Sequence, residues 1–336
     1  MSRQHAPAKA FTIVEILVVV GIIALLLGML LPALSGALKR SSKHKELNTI
    51  RQIGLGWTLY ANANNDKLLP GYLDFDVQQR WRVRYEYPNH WDIPVGDLAG
   101  PWTWRLLPYL ENDIATVHGY RDERGYETVT LDPGETGATS DEMEIFANPI
   151  AFEPGFGYNA YYVGGWWTME SGLARPVFYD AKRDIDGSIR SVSVVAKSIG
   201  TIRRPTTLMI FCSASLLQPR LYRTFPADQP GSHYVVPPRL GTVAKWNSAG
   251  ISPGDGIGAN AQVGGSSDME SGNLDPTTLE VYPQGDGSPV AAPIGRYNRL
   301  VAMLHADGHT TAGTPGSLTD MRMWINAADV GSFWHQ

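Results

Sequence analysis

The hydrophobic positions of this chain pass from an unbroken run, to spacings of three and four, to alternation. The nineteen residues from Ile16 to Leu34 carry no charge, and most are Leu, Val, Ile or Ala. As a helix rising about 1.5 Å per residue, the run is about 28 Å long, close to the roughly 30 Å hydrocarbon core of a bilayer. Only a helix satisfies its own backbone in lipid, so the pattern predicts a membrane-spanning helix. A secretory signal peptide would have a shorter core of about 7–15 residues with a small-residue cleavage site behind it. Here the small residue, Ala10, stands in front of the run. Beyond it Leu34, Leu38, Leu47, Ile50, Ile53 or Gly54, Trp57 and Tyr60 recur mostly at threes and fours, with Lys, Arg, Ser and Gln on the other face. That is the stripe of an amphipathic helix, which needs a sheet or another layer to pack on. One helix is therefore expected over residues 11–63, with 11–34 in lipid and 35–63 amphipathic. Pro32 removes one of its hydrogen bonds. The Asn-rich stretch Asn62 to Asp66 ends it.

After residue 63 the period falls towards two. Gly155 to Tyr162 alternates aromatic and small residues, as a strand does. Asp186-Gly187 and Asp307-Gly308 each sit between strand-like segments and predict two-residue hairpin turns. Ser198 to Cys212 gives a further pair of strands, split at Arg203-Arg204-Pro205. The stretch Trp102 to Glu111 suits a short helix that buries Leu106, Leu107 and Leu110. Residues 247–288 are dominated by Gly, Ser, Asp, Asn and Pro, which predicts a long flexible surface loop. The expected fold class is α+β: a long N-terminal helix packed on a mainly antiparallel sheet, with residues 64–336 as the globular part.

Composition narrows this picture. The 35 Gly and 23 Pro imply many turns behind the helix. The formal charge of −5 leaves no basic excess, which argues against nucleic acid as a partner. The single cysteine, Cys212, rules out an intramolecular disulfide, and its apolar strand context makes it a core residue. Charges beside the helix do not orient it. Arg3 and Lys9 lie before the run, and Lys39, Arg40, Lys43 and Lys45 follow it.

The residue that the anchor alone does not explain is Glu15, a carboxylate at the mouth of the apolar run. A charge in lipid costs several kcal/mol and marks a functional site by default. Ala10, Phe11, Thr12, Val14 and Glu15 together resemble the type IV prepilin signature. In that family a membrane aspartyl peptidase cuts before the Phe and methylates the new amine. The commoner residue before the cut is Gly, so Ala10 is a departure within the small residues. The resemblance implies processing between Ala10 and Phe11 by prepilin peptidase, which removes residues 1–10 as a leader. Losing Arg3 and Lys9 with that leader would take the charge from −5 to −7. It also implies insertion in inner-membrane lipid, a globular part outside the cytoplasm, and assembly with other pilin-like subunits through the helix. Phe11 would supply an amine that neutralises a neighbour's Glu15. Gly28 and Pro32 would mark where the helix loosens or is approached closely. Arg296-Tyr297-Asn298 and Leu300 to His309, with the Trp102–Glu111, Tyr158–Tyr161 and Arg204–Thr207 segments, resemble a large prepilin-like family. It is named for a His, nine residues and Asp-Gly. Tyr297 stands where that family has the His. The implied role is a structural subunit of a type II secretion pseudopilus or a pilus-like envelope assembly. The alternative is a singly anchored envelope protein that binds a glycan or a protein and does not polymerise.

Catalytic and metal motifs do not gather. Gly250-Ile251-Ser252-Pro253-Gly254 has the letters of a nucleophile elbow, but Pro253 lacks the N–H that the oxyanion would need. Asp180, Asp184 and Asp186-Gly187 match a calcium loop only in part, and Asp255 to Asp275 invite calcium by analogy alone. Trp102, Trp104, Trp166 and Trp167 suit either a core or a sugar-stacking face. His305 and His309 would share a face of a helix, as zinc-binding pairs do. In a two-residue turn at Asp307-Gly308, however, Ala306 pairs with His309 and His305 with Thr310, so the two imidazoles face apart. No catalytic residue, metal or cofactor is expected.

Overall fold

A computed structural model describes residues 13–87, 91–119, 150–176, 180–183, 189–192, 195–217, 231–240, 243–244, 290–297 and 300–326. The chain divides into two compact units, residues 1–42 and residues 43–336. Helix α1 is Ile13–Ala63 and continues through Pro32. Asn65 and Asp66, both at positive φ, close its end, and the Asp66 N–H returns to the Ala61 carbonyl at 2.9 Å.

The second unit is mixed α+β. In order come β1 (Tyr72–Leu73), α2 (Phe75–Trp81), β2 (Tyr85–Tyr87), β3 (Trp91–Ile93), α3 (Thr103–Leu106) and α4 (Ile114–His118). Then follow β4 (Phe156–Tyr158), β5 (Trp166–Glu170), β6 (Leu173–Pro176), β7 (Asp180–Arg183), β8 (Ile189–Val192) and β9 (Met209–Leu217). Last are β10 (Arg239–Leu240), β11 (Val243–Ala244), β12 (Val290–Pro293), β13 (Val301–His305) and β14 (Thr310–Gly313). The main sheet runs β12-β9-β13-β14, and β9 is its axis. One edge of β9 is shared by β4, against residues 211–213, and β12, against 214–217; β13 takes the other edge. These ladders are antiparallel, whereas β1 joins β5 in parallel and β5 joins β6 antiparallel.

Of the expected apolar stripe of α1, Leu34 and Leu38 are exposed, Leu47 and Tyr60 are half-buried, and the rest is buried. Ile50, Ile53, Trp57 and Ala61 are buried, and Trp57 donates to the Tyr158 hydroxyl at 3.2 Å. Gly54 is also on this face, because a Cβ there would lie 2.8 Å from the Leu304 methyls. Removing the side chain lets helix and sheet close together. Leu106 and Leu107 are buried and Leu110 partly so, spread over α3 and a 3-10 turn, Leu107–Leu110.

Several expected strands are shorter or absent. β4 covers only the start of Gly155–Tyr162. Asn159 then turns the chain, its buried amide donating to the Met209 and Trp324 carbonyls at 3.0 and 2.8 Å. The first half of Ser198–Cys212 is a 3-10 turn, Ile199–Thr201, because Ser198 and Thr201 form a reciprocal capping box that favours helical geometry. The β7–β8 hairpin exists, yet Arg183 pairs with Ile189. A two-residue turn at Asp186-Gly187 would have paired it with Arg190. The turn itself, like the loop expected at 247–288, lies outside the described residues.

Candidate functional site

The expected site residues fall on three parts of the chain. Ala10 and Phe11 lie outside the described residues, as do Asp184, Asp186, Gly187, Ser252 and the Asp255–Asp275 stretch. Glu15 sits in the first turn of α1, where the helix dipole favours an acid. The large apolar side chains from Ile13 to Leu31 are about half to three-quarters exposed, and α1 is long and apolar enough to cross a membrane. A Cβ at Gly21 or Gly28 would meet nothing within 4 Å, so neither glycine is used for packing inside this chain among the described residues.

In the second unit the stripe of α1 begins with charges. Lys43 and Glu46 hold the 3-4 spacing that continues through Ile50, Ile53 and Trp57, and both are buried. The sequence pattern alone expects the lysines on the outer face. The Lys43 ammonium lies 3.0 Å from Glu46 Oε2 and donates to the Leu300 carbonyl at 2.8 Å. The Ser213 hydroxyl donates to Glu46 Oε1 at 2.6 Å and accepts the Ala302 N–H at 3.2 Å. Arg296 places Nη1 4.0 Å from the same Oε1, and donates to the Gly155 and Ala214 carbonyls at 3.2 and 2.5 Å. Burial pushes the Lys43 pKa down, and the attraction of Glu46 opposes it. Burial also drives the neighbouring Cys212 thiol up, which keeps it protonated and inert. Chemically the cluster is a clamp. It ties α1 to β9, to the chain entering β13 and to the Arg296 turn, and the wholly buried Ser213 offers no path to a substrate. The legible signal was periodic: Lys43 and Glu46 continue the apolar stripe without changing its step.

The tip between β13 and β14 departs from the two-residue turn. Leu304 pairs with Thr310, and the His305 N–H bonds the His309 carbonyl, so three residues, Ala306, Asp307 and Gly308, form the loop. Only Gly308 has positive φ, +86°, as in a three-residue hairpin with a glycine bulge. Asp307 accepts the His309 N–H and also meets its Nδ1, which pins the turn and holds the carboxyl below its usual range. The register therefore shifts by one, and His305 and His309 do not face apart. Their rings stack, centroids 4.3 Å apart and 3° from parallel. His305 Nδ1 is 3.2 Å from the Thr207 carbonyl and Nε2 2.8 Å from the Thr311 hydroxyl. Both nitrogens are thus engaged, and parallel stacked rings do not aim two lone pairs at one ion. No group of three or more metal-ligating side chains occurs among the described residues. Tyr297 forms a bridge with Leu300.

The four tryptophans singled out by sequence divide. Trp102, Trp104 and Trp166 are core residues, and only Trp167 is half-buried. Trp166 stacks on Tyr72 at 4.2 Å and neighbours a buried histidine, His233, that the sequence did not flag. Phe152, Tyr72, Trp166 and Tyr234 surround that imidazole. Desolvation pushes its pKa down to about 3, against the pull of the Phe152 carbonyl. Neither ring nitrogen reaches hydrogen-bonding geometry with a described residue. Across β1 and α2, Asp74 is raised to about 6 by burial, opposed by the Trp166 indole.

Compared with protein-family models, curated proteins and solved structures, the chain matches none of them.

Proposed function

We propose that this chain is a prepilin-like structural subunit, cut between Ala10 and Phe11 and held in the inner membrane by residues 11–34. Its pilin-like globular part lies outside the cytoplasm, and it joins other pilin-like subunits of a type II secretion pseudopilus or related assembly through the N-terminal helix. The observation that carries this reading is α1. Its start is exposed and apolar on all sides yet bears Glu15 in the first turn, and its later turns are built into an α+β unit. An anchor alone needs no carboxylate there. Cleavage after Ala10 creates an α-amine close in sequence to Glu15. In lipid the amine of one subunit and the Glu15 of the next neutralise each other, which fixes an axial register. The open flanks of Gly21 and Gly28 let a second helix approach. The test is the mass of the mature N-terminal peptide from membranes of cells that carry a prepilin peptidase. The reading expects Phe11, with or without a methyl group; a chain retaining residues 1–10 overturns it.

A further inference from the structure

The surface that the clamp, the hairpin and the membrane helix leave unexplained is the end of α2 where it lies against β5. Trp81, the last residue of α2, is 42 % exposed. It meets the half-buried Trp167 of β5 edge to face, with ring centroids 5.1 Å apart at 61°. The Trp167 indole N–H already donates to the Gly164 carbonyl at 2.7 Å, so what this ring offers outward is π surface and no polar group. Lys197 Nζ sits 5.4 Å from the Trp167 centroid. Trp81 lies between Arg80 and Arg82, both exposed, and neither makes an ion pair among the described residues. Arg82 is held in the left-handed conformation as the C-cap of α2, its N–H bonded to the Gln78 and Gln79 carbonyls, so its backbone is fixed. The acid of this helix, Asp76, is at the other end.

An aromatic pair with Lys197 against one ring, and exposed Arg80 and Arg82 adjoining the other along the chain, is out of character with a chain of net charge −5. Indole faces attract the C–H faces of sugar rings, and the flanking cations call for carboxylates at matching intervals. We propose that the Trp81–Trp167 edge binds an acidic polysaccharide. One sugar ring stacks on Trp81, while uronate carboxylates pair with Arg80, Arg82 and Lys197. This surface goes beyond the structural-subunit reading and does not depend on cleavage or polymerisation.

The test uses the full chain in zwitterionic nanodiscs, with oligogalacturonate as the probe and calorimetry as the readout. Binding is expected to weaken about tenfold in Trp81→Ala, the worth of one stacking contact. It should also weaken in Arg80→Gln/Arg82→Asn, which leaves both rings in place and gives the left-handed site a residue that tolerates it. The fully methyl-esterified oligomer should bind far more weakly than the acid. Absence of binding to the acid oligomer, or binding unchanged in both variants, overturns the proposal. Equal binding of inorganic polyphosphate would reduce the face to a plain cation patch. Binding that disappears when the discs carry phosphatidylglycerol would assign the face to an anionic lipid surface instead.

Discussion

The hydroxyl of Ser213 donates to the carboxylate of Glu46 across 2.6 Å, which ties the middle of β9 to the turn of α1 where its stripe passes from charged to apolar. Neither partner is exposed, so the bond forms only when helix and sheet are in one register. A slide of one residue along the helix would turn Glu46 by about 100° and take it off Ser213. Apolar contacts such as Ile50 and Ile53 tolerate small shifts better than a directed hydrogen bond does.

Glu46→Ala should therefore destabilise the second unit more than truncating an apolar neighbour of similar size. Removing one member of a buried ion cluster leaves the others desolvated, at a cost of about 3–5 kcal/mol. Urea denaturation of the full chain in detergent, followed by tryptophan fluorescence, reads this directly. Lys43→Met should cost less, because it removes a desolvated cation along with its partner contact. Equal midpoints for Glu46→Ala and wild type would show the clamp to be idle.

Gly308→Val should lower stability by about 1–3 kcal/mol through backbone strain alone. A Cβ at Gly308 meets nothing within 4 Å, so no clash contributes, and φ of +86° is the whole cost. Gly308→Asn should recover much of the loss, because Asn tolerates positive φ. A Val variant as stable as wild type, by thermal unfolding, would mean the loop adopts another turn.

The parts of this fold that were legible rest on period; those that were not rest on partners. The stripe Ile50, Ile53, Trp57 gave the buried face of α1 because a helix presents every third or fourth residue to one side whatever it packs on. Lys43 and Glu46 sit on the same stripe, but charge on its own predicts an outward face. Ser213, Arg296 and the Leu300 carbonyl, far off in sequence, explain their burial. Asp-Gly was read twice as a two-residue turn. At Asp307 the carboxylate instead bonds the His309 N–H and lengthens the loop to three residues, which turns both histidines to one side. His233 gave no signal at all, since its surroundings come from Tyr72, Phe152 and Trp166 in distant segments.

His233 makes stability depend on pH. Its folded pKa, about 3, lies below the ordinary value of 6.5, so the unfolded chain binds the proton first. The stabilisation of the neutral ring is full above pH 6.5 and is lost as pH falls from there towards 3, by roughly 1.4 kcal/mol per pH unit. Asp74 opposes this over part of the range. Its folded pKa of about 6 exceeds the ordinary 3.8, so the fold gains as Asp74 protonates below pH 6. His233→Phe, which keeps an aromatic ring among aromatic neighbours, should flatten the acid limb of a stability-against-pH curve and expose the Asp74 gain. An acid limb of unchanged slope in that variant would assign the titration to another group.

Glu15→Ala separates an assembling subunit from a simple anchor. In a lone helix the change replaces an acid by an apolar residue at the mouth of the lipid run, so insertion should be unharmed or improved. Between helices it removes the only anion of the apolar segment, and a neighbour's α-amine then enters lipid without a counter-charge, at several kcal/mol. Glu15→Gln should behave like Ala in this respect, because the amide keeps the shape and loses the charge. The measurement is co-purification of differently tagged wild-type and variant chains from the same membranes, with the membrane fraction of each as the control. Wild type should capture wild type, capture either variant more weakly through the variant's remaining amine, and neither variant should capture its own kind, while all three fractionate with membranes. Capture that is equal for all three would mean that Glu15 takes no part in contacts between subunits, and the chain would then be an anchor carrying its globular unit singly.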